Sequence, residues 1–249
     1  FGLAKKDPKR IVYCEGEEDH VLRAIQMVLD EKLVKPIVIG RRDVVATRVK
    51  RLRLRMEMDK DFELVDPQSD TRYREYWETY HSLMERKGVT PAVAKLIVRT
   101  SPTVIGALMV HRGEADAIIC GCIGDFHGHM KHIVDIIGLK PGVETAAALR
   151  AMIVPRGTFF LCDTHVIPDP SVSQLSEMTL MAAEEIRRFG IIPRVALLSH
   201  SNFGSHRDNS AFKMRAATID LKQRDPNLEV DGEMHADTAL SETVRKTLM

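Results

Sequence analysis

Short apolar segments alternate with amphipathic helical patterns along this chain, and that rhythm restricts it to an α/β fold built on parallel strands. Arg10 to Cys14 (RIVYC) is followed by a helical pattern from Asp19 to Leu33, and Pro36 to Gly40 (PIVIG) by an arginine-rich one from Arg41 to Arg55. Phe62 to Val65 (FELV) makes a third strand, which Asp66 and Pro67 end. Helical patterns then dominate from Arg72 to Gly113, with breaks at Gly88 and Pro102, before Ala117 to Cys120 (AIIC) returns the chain to the sheet.

A helical pattern from Gly128 to Ile137 stops at Gly138, and Lys140, Pro141 and Gly142 form the clearest internal boundary. Strands are expected beyond it at Leu149 to Val154, Phe159 to Cys162, Val195 to Leu198 and Leu228 to Val230, with helices at Ser171 to Phe189 and Ser210 to Lys222. This order fits two α/β layers, residues 1–139 and 140–249, each with a parallel sheet. The sequence starts at Phe1 without an initiator Met and stops at Met249 inside a helical pattern (Ala239, Leu240, Val244, Leu248), which predicts a piece of something longer.

Charge is nearly balanced, with 36 basic against 35 acidic residues, so no global attraction to nucleic acid is expected. Aromatic residues are 5% of the chain and do not interleave with the basic ones as a single-strand groove requires. No apolar stretch approaches the length of a membrane span, and no signal peptide pattern opens the chain, so a cytoplasmic protein is expected. Cys14, Cys120, Cys122 and Cys162 lie in or beside predicted strands, which fits reduced core thiols better than a disulfide framework. The arginine-rich segment reads mainly as the solvated face of an amphipathic helix.

The segment Arg194 to Ser205, RVALLSHSNFGS, reads as a buried strand emptying into a loop of small polar residues, the place where open α/β sheets bind ligands. Ser199, His200, Ser201, Asn202 and Ser205 offer donors there, and Gly204 allows close backbone approach to an anion; an ordinary turn whose Ser and Asn cap the next helix is the alternative. No GxGxxG follows the first strand and no GxxxxGK[ST] occurs, which disfavours a dinucleotide or P-loop cradle. Glu15, Glu17, Glu18 and Asp19 after the first strand suit the positive end of the following helix or a cationic partner. The run Cys120, Cys122, Asp125, His127, His129, His132 invites a metal reading, but its spacing fits no paired-ligand pattern, and no metal is expected. Asp163 and His165 follow another apolar strand. A triad assembled from Ser199 or Ser201, His165 or His200, and Asp163 lacks the GxSxG elbow. Asp231, Glu233, His235 and Asp237 end the last strand, with helix capping as their plain reading.

The motifs CEGEEDHVLRAI, GALMVHRGEADAIICG, FFLCDTHVIPDPS, EEIRRFGIIPRVALLSHSNFGS and DGEMHADTAL, in this order, resemble the phosphate acetyltransferase/butyryltransferase family throughout the chain. The resemblance is greatest to the phosphotransacetylase-like C-terminal domain of hybrid bacterial NADP-dependent malic enzymes. It implies an α/β fold of two α/β/α subdomains with parallel sheets and a cleft between them, of the isocitrate/isopropylmalate dehydrogenase-like form, a homodimer or higher homo-oligomer, and acetyl-CoA as ligand. The expected ligand residues are Ser199, His200, Ser201, Asn202, Gly204 and Ser205, with Lys131 supplying charge and Asp163 and His165 nearby. The family's catalytic serine, arginine and aspartate would follow Met249, so no catalytic residue is assigned here. Its phosphate-binding arginines fall near Met84 and at Lys131, and SHSNFGS stands where active enzymes show SYSTKGS. A thioether in place of a guanidinium fork removes bidentate phosphate binding. The implied role is acetyl-CoA-dependent inhibition of malate oxidation, with NADP and a divalent metal (Mg or Mn) held by N-terminal malic enzyme domains of the same polypeptide. An active phosphate acetyltransferase is the alternative.

Overall fold

The structure is a computed structural model that describes residues 2–155 and 157–248. The chain divides after Gly138 into two compact units. The first contains α1 (Gly2–Lys6), β1 (Lys9–Tyr13), α2 (Asp19–Asp30), β2 (Val34–Ile39), α3 (Arg42–Arg51) and β3 (Glu63–Val65), followed by α4 (Tyr73–Met84), α5 (Pro91–Thr100), α6 (Pro102–His111), β4 (Ala117–Ile119) and α7 (Phe126–Ile136).

Its strands form one parallel sheet in the order β3-β2-β1-β4, with Tyr13 paired to Val38 on one side and to Ile119 on the other. Side chains alternate between the faces of a strand. Val12, Cys14, Ile37, Ile39 and Val65 accordingly pack with residues of α4, α5 and α6, while Tyr13, Val38 and Leu64 pack with α2 and α3. The break at Pro102 is a helix start: Ser101 accepts from the Val104 amide and proline takes a position whose N–H has no intrahelical partner. Every residue of α6 from Thr103 to Met109 is buried. No single helix among the described residues is long and apolar enough to cross a membrane; α5 and α6 together have the composition but bend by 103°.

The second unit contains β5 (Arg150–Val154), β6 (Gly157–Leu161), α8 (Val172–Arg188), β7 (Arg194–Leu198), α9 (Asn209–Arg224), β8 (Glu229–Met234), α10 (Ala236–Leu240) and α11 (Glu242–Leu248). Here the sequence expectation needs correction. Only β7 and β8 pair in parallel; β5 and β6 form a separate antiparallel hairpin with Ala151 opposite Phe160. A parallel pair needs a crossover of about a dozen residues or more, and the step from Val154 to Gly157 is far too short. Pro155 and Gly157 between two apolar runs were a hairpin signal. Leu175, Met178 and Ala183 of α8 and Ala217 and Leu221 of α9 bury Leu197 and Val230 of the parallel pair.

Helix α8 opens with a full capping box, in which the Ser171 hydroxyl accepts from the Gln174 amide and the Gln174 side chain accepts from the Ser171 amide. Ser171→Ala is expected to cost about 1 kcal/mol, seen as a lower urea midpoint for the second unit with an unchanged slope.

Candidate functional site

The loop after β7 closes on a carboxylate of the protein's own. Glu233, at the end of β8, is 1% exposed and faces the loop that follows β7. Its Oε1 accepts from the Ser201 hydroxyl at 2.7 Å and the Gly204 amide at 2.8 Å, and its Oε2 from Arg215 Nε of α9 at 2.8 Å. Burial pushes the carboxyl up, but Ser201, Arg215 and the amide outweigh it and hold it below its ordinary range.

The rest of the loop closes on the same centre. The Phe203 amide donates to the Glu233 carbonyl, the Ser199 amide to the Met234 carbonyl, and Asn202 Oδ1 accepts from the His235 amide. Ser201 and Asn202 amides donate to the hydroxyls of Ser199 and Ser205, and the His206 amide to that of Ser201. The backbone donors anticipated for a ligand therefore point inward. The register shift between Leu197 and Leu198 bends β7 as the loop begins. Toward solvent the loop presents side chains: His200 and His206 meet edge to face at 5.1 Å, and Arg207 is exposed. His200 Nε2 lies 2.6 Å from Asp208, which also caps α9 through the Ser210 and Ala211 amides. The Ala211 amide, His200 and Ser210 together hold the Asp208 carboxyl well below the usual carboxylate range.

Asp163 pins a second loop. It accepts from the amides of Ala148 (2.9 Å), Val166 (2.9 Å), Ile167 (2.7 Å) and His165 (3.3 Å). Burial raises its carboxyl but these amides lower it overall. His165 Nδ1 is 2.7 Å from the Thr164 hydroxyl. With Ser201 on Glu233, His200 on Asp208 and Asp163 on backbone amides, the residues considered for a triad belong to three different networks. Among Asp231, Glu233, His235 and Asp237, the capping role falls to Asp237, whose Oδ1 accepts from the Thr238 amide at 2.8 Å in the first turn of α10, while His235 occupies the N-cap without a side-chain bond and Glu233 serves the loop. A polar recess of about 460 Å³, lined by Glu144, Ser171, Glu177 and Arg224, includes none of the residues expected to touch ligand.

The family model described as phosphate acetyl/butaryl transferase matches residues 1–249. The chain belongs to the phosphate acetyl/butaryl transferase family. It is 49% identical over 249 residues to the NADP-dependent malic enzyme of Escherichia coli, covering 100% of this chain and 33% of that protein. It is 50% identical over 250 residues to the NAD-dependent malic enzyme of Rhizobium meliloti, covering 100% and 32%. A phosphotransacetylase from Streptococcus pyogenes has the same fold, with a TM-score of 0.87 and 26% identity over 99% of this chain and 75% of that one. The chain thus spans about a third of the length of the malic enzymes it matches.

In this member of the phosphate acetyl/butaryl transferase family, Met84 is 3% exposed and packs in the core of the first unit at the end of α4. Lys131 of α7 is exposed and paired with Asp135 at 2.6 Å, a carboxylate that also receives Lys87. The acidic residues after β1 receive cationic partners. Arg41 forks onto Glu17 at 2.7 and 2.8 Å, Arg51 meets Asp19, and Arg48 lies 3.6 Å from both Glu18 and Asp19. Among the described residues no group of three or more His, Cys, Asp or Glu side chains is arranged to hold a metal. Sequence reasoning missed the Arg215–Glu233 pair: Glu233 stands in the DGEMHADTAL motif, but Arg215 lies on a different element and in no motif that would name it as the partner.

Proposed function

We propose that this chain is the acetyl-CoA-binding regulatory and oligomerisation domain of a larger malic enzyme. The observation that carries the reading is the loop of Ser199, His200, Ser201, Asn202, Gly204 and Ser205, locked onto buried Glu233 and Arg215 at a strand's carboxyl end, within a family domain about half identical to malic enzymes over its whole length. A loop whose amides, that of His200 apart, are spent on its own framework offers a ligand side chains rather than a phosphate nest. Lys131, Asp163 and His165 complete the proposed ligand set. Oxidative decarboxylation of malate, with NADP and Mg or Mn, belongs to other domains of the polypeptide, and no step of it is assigned to residues here. The protein acts in the cytoplasm, as a homodimer or higher homo-oligomer.

Inhibition by acetyl-CoA requires that it bind one state of the whole enzyme more tightly than the other. The Met84 substitution and the spent loop amides favour sensing over an active phosphate acetyltransferase. The test is a calorimetric titration of acetyl-CoA into the full-length protein with phosphate present, malate oxidation and acetyl phosphate being followed in the same samples. Saturable binding with slower malate oxidation and no acetyl phosphate is expected. Acetyl phosphate production would establish the transferase instead, and no binding would end both readings.

A further inference from the structure

The first unit holds a second cluster that the proposed function does not use. Cys14 follows β1 and Cys120 follows β4, two strands paired directly, and the Cys14 amide donates to the Ile119 carbonyl at 3.0 Å. Their side chains pack in the same core cluster, from positions one past the paired Tyr13 and Ile119. Cys14 is buried under α6, where even a methyl group on Gly106 would come within 2.7 Å of its sulfur, while Cys120 is half-buried. Next to Cys120, the buried Thr103 hydroxyl is 2.7 Å from His129 Nδ1, and His129 Nε2 is 2.6 Å from the Ile123 carbonyl. A carbonyl only accepts, so Nε2 carries the proton and Nδ1 accepts from Thr103. The Thr103 oxygen remains open to the Cys120 S–H, which completes a proton path from thiol to imidazole.

We propose that Cys120 and Cys14 form a peroxide-reactive dithiol in which Cys120 is the attacking sulfur, Cys14 the resolving one, and Thr103 and His129 position and activate Cys120. The Cys120 proton passes through Thr103 to His129. The Cys120 sulfur attacks one oxygen of hydrogen peroxide, the O–O bond breaks, and the hydroxide leaves as water with a proton, giving a sulfenic acid. The Cys14 sulfur then attacks Cys120, the S–O bond breaks, and a second water carries away the Cys14 proton. Two thiols are oxidised to one disulfide and one peroxide is reduced to two waters. Both residues lie just past their paired strand segments, at neighbouring-strand spacing, within the reach a disulfide needs. Closely packed Cys14 has no other partner to resolve.

The surrounding charges agree with this order. The neighbouring Cys14 thiol, against burial, brings Cys120 down to about 7, with His129 and Thr103 adding to the effect and Glu15 opposing it. Cys14 is pushed well up by Cys120 and burial. Cys122 is exposed yet raised, by burial and then Glu15, and burial pushes Cys162 up to about 11. The half-buried thiol is therefore the more reactive one. Relative to an ordinary thiol near 8.5, Cys120 at about 7 has roughly fifteenfold more thiolate at pH 7, of which its lower nucleophilicity removes about fivefold, for a net advantage of about threefold.

The experiment treats the protein with limiting hydrogen peroxide at pH 7, alkylates the remaining thiols, and maps peptides without reduction, circular dichroism confirming that each variant is folded. A Cys14–Cys120 linked peptide is expected, reversed by dithiothreitol, with Cys120 consumed at least about threefold faster than Cys122 or Cys162. In Cys14→Ser, Cys120 should persist as a sulfenic acid trapped by dimedone. Thr103→Val should slow Cys120 severalfold at pH 7 but little at about pH 9.5, where the thiol ionises unaided; a purely structural role would slow both alike. Folded protein that yields no linked peptide, a link through Cys122, or oxidation of Cys120 no faster than Cys122 overturns the proposal.

Discussion

Glu233→Gln is expected to destabilise the second unit by roughly 3 kcal/mol, the scale of breaking a buried ion pair while its cation remains. The glutamate accepts on both oxygens, Oε1 from Ser201 and Gly204 and Oε2 from Arg215. An amide can satisfy one side only, and its NH₂ then faces either the guanidinium or the loop amide, donor against donor. Hydrogen exchange at Val195, Leu197 and Val230 should accelerate, because β7 and β8 are tied at their carboxyl ends through this contact. The same carboxylate makes stability depend on acid. Its folded pKa lies below the unfolded one, so its contribution is complete above the unfolded value of about 4.3 and is lost as pH falls through the lower folded value. The wild-type protein should lose protection in β7 and β8 more steeply below about pH 4 than Glu233→Gln. Equal exchange rates in the two proteins at pH 7 would show that the carboxylate does not hold the loop.

The reasons for this split between what could and could not be read in advance are physical. Strands β1, β2 and β4 and the helices between them carry their periodicity in contiguous residues, so their presence in a parallel sheet is readable from RIVYC, PIVIG and AIIC, whereas the order β3-β2-β1-β4 is not. Turn chemistry was also local, yet the Pro155–Gly157 hairpin was overlooked because a rhythm of parallel strands had already been assumed for the second half. The loop SHSNFGS announced a strand end that binds an anion, but no residue inside it names which anion. Glu233 is 28 residues beyond Ser205 and Arg215 lies on an intervening helix, so only the folded chain brings them together. The run from Cys120 to His132 is opaque for a similar reason: His129 turns toward Thr103 and the Ile123 carbonyl, and Cys120 packs beside Cys14, which comes from the other end of the unit.

Gly16→Ala should destabilise the first unit by about 3 kcal/mol, toward the upper end of overpacking costs. Gly16 crosses the end of β2 just after β1, its amide donating to the Ile39 carbonyl at 3.1 Å. A Cβ there would lie 2.7 Å from that same carbonyl oxygen and 2.2 Å from Val38 Cγ1. The valine methyl can rotate away, but the carbonyl is fixed by the sheet, so β1 must separate from β2 or lose the hydrogen bond. The loop that would move also carries Glu17, the partner of Arg41, and adjoins Cys14, so both contacts at this strand end should weaken together. Trp77, the one tryptophan in the sequence, packs on the core of this unit and reports its urea transition by fluorescence. Gly88→Ala supplies the comparison. Gly88 has φ +84° with nothing within 4 Å of its added methyl, so Ala there meets only the strain of the left-handed backbone, about 1 to 2 kcal/mol. A Gly16 variant no less stable than the Gly88 variant would mean that the ends of β1 and β2 separate easily, and that the close crossing at Gly16 does not set the geometry of this strand end.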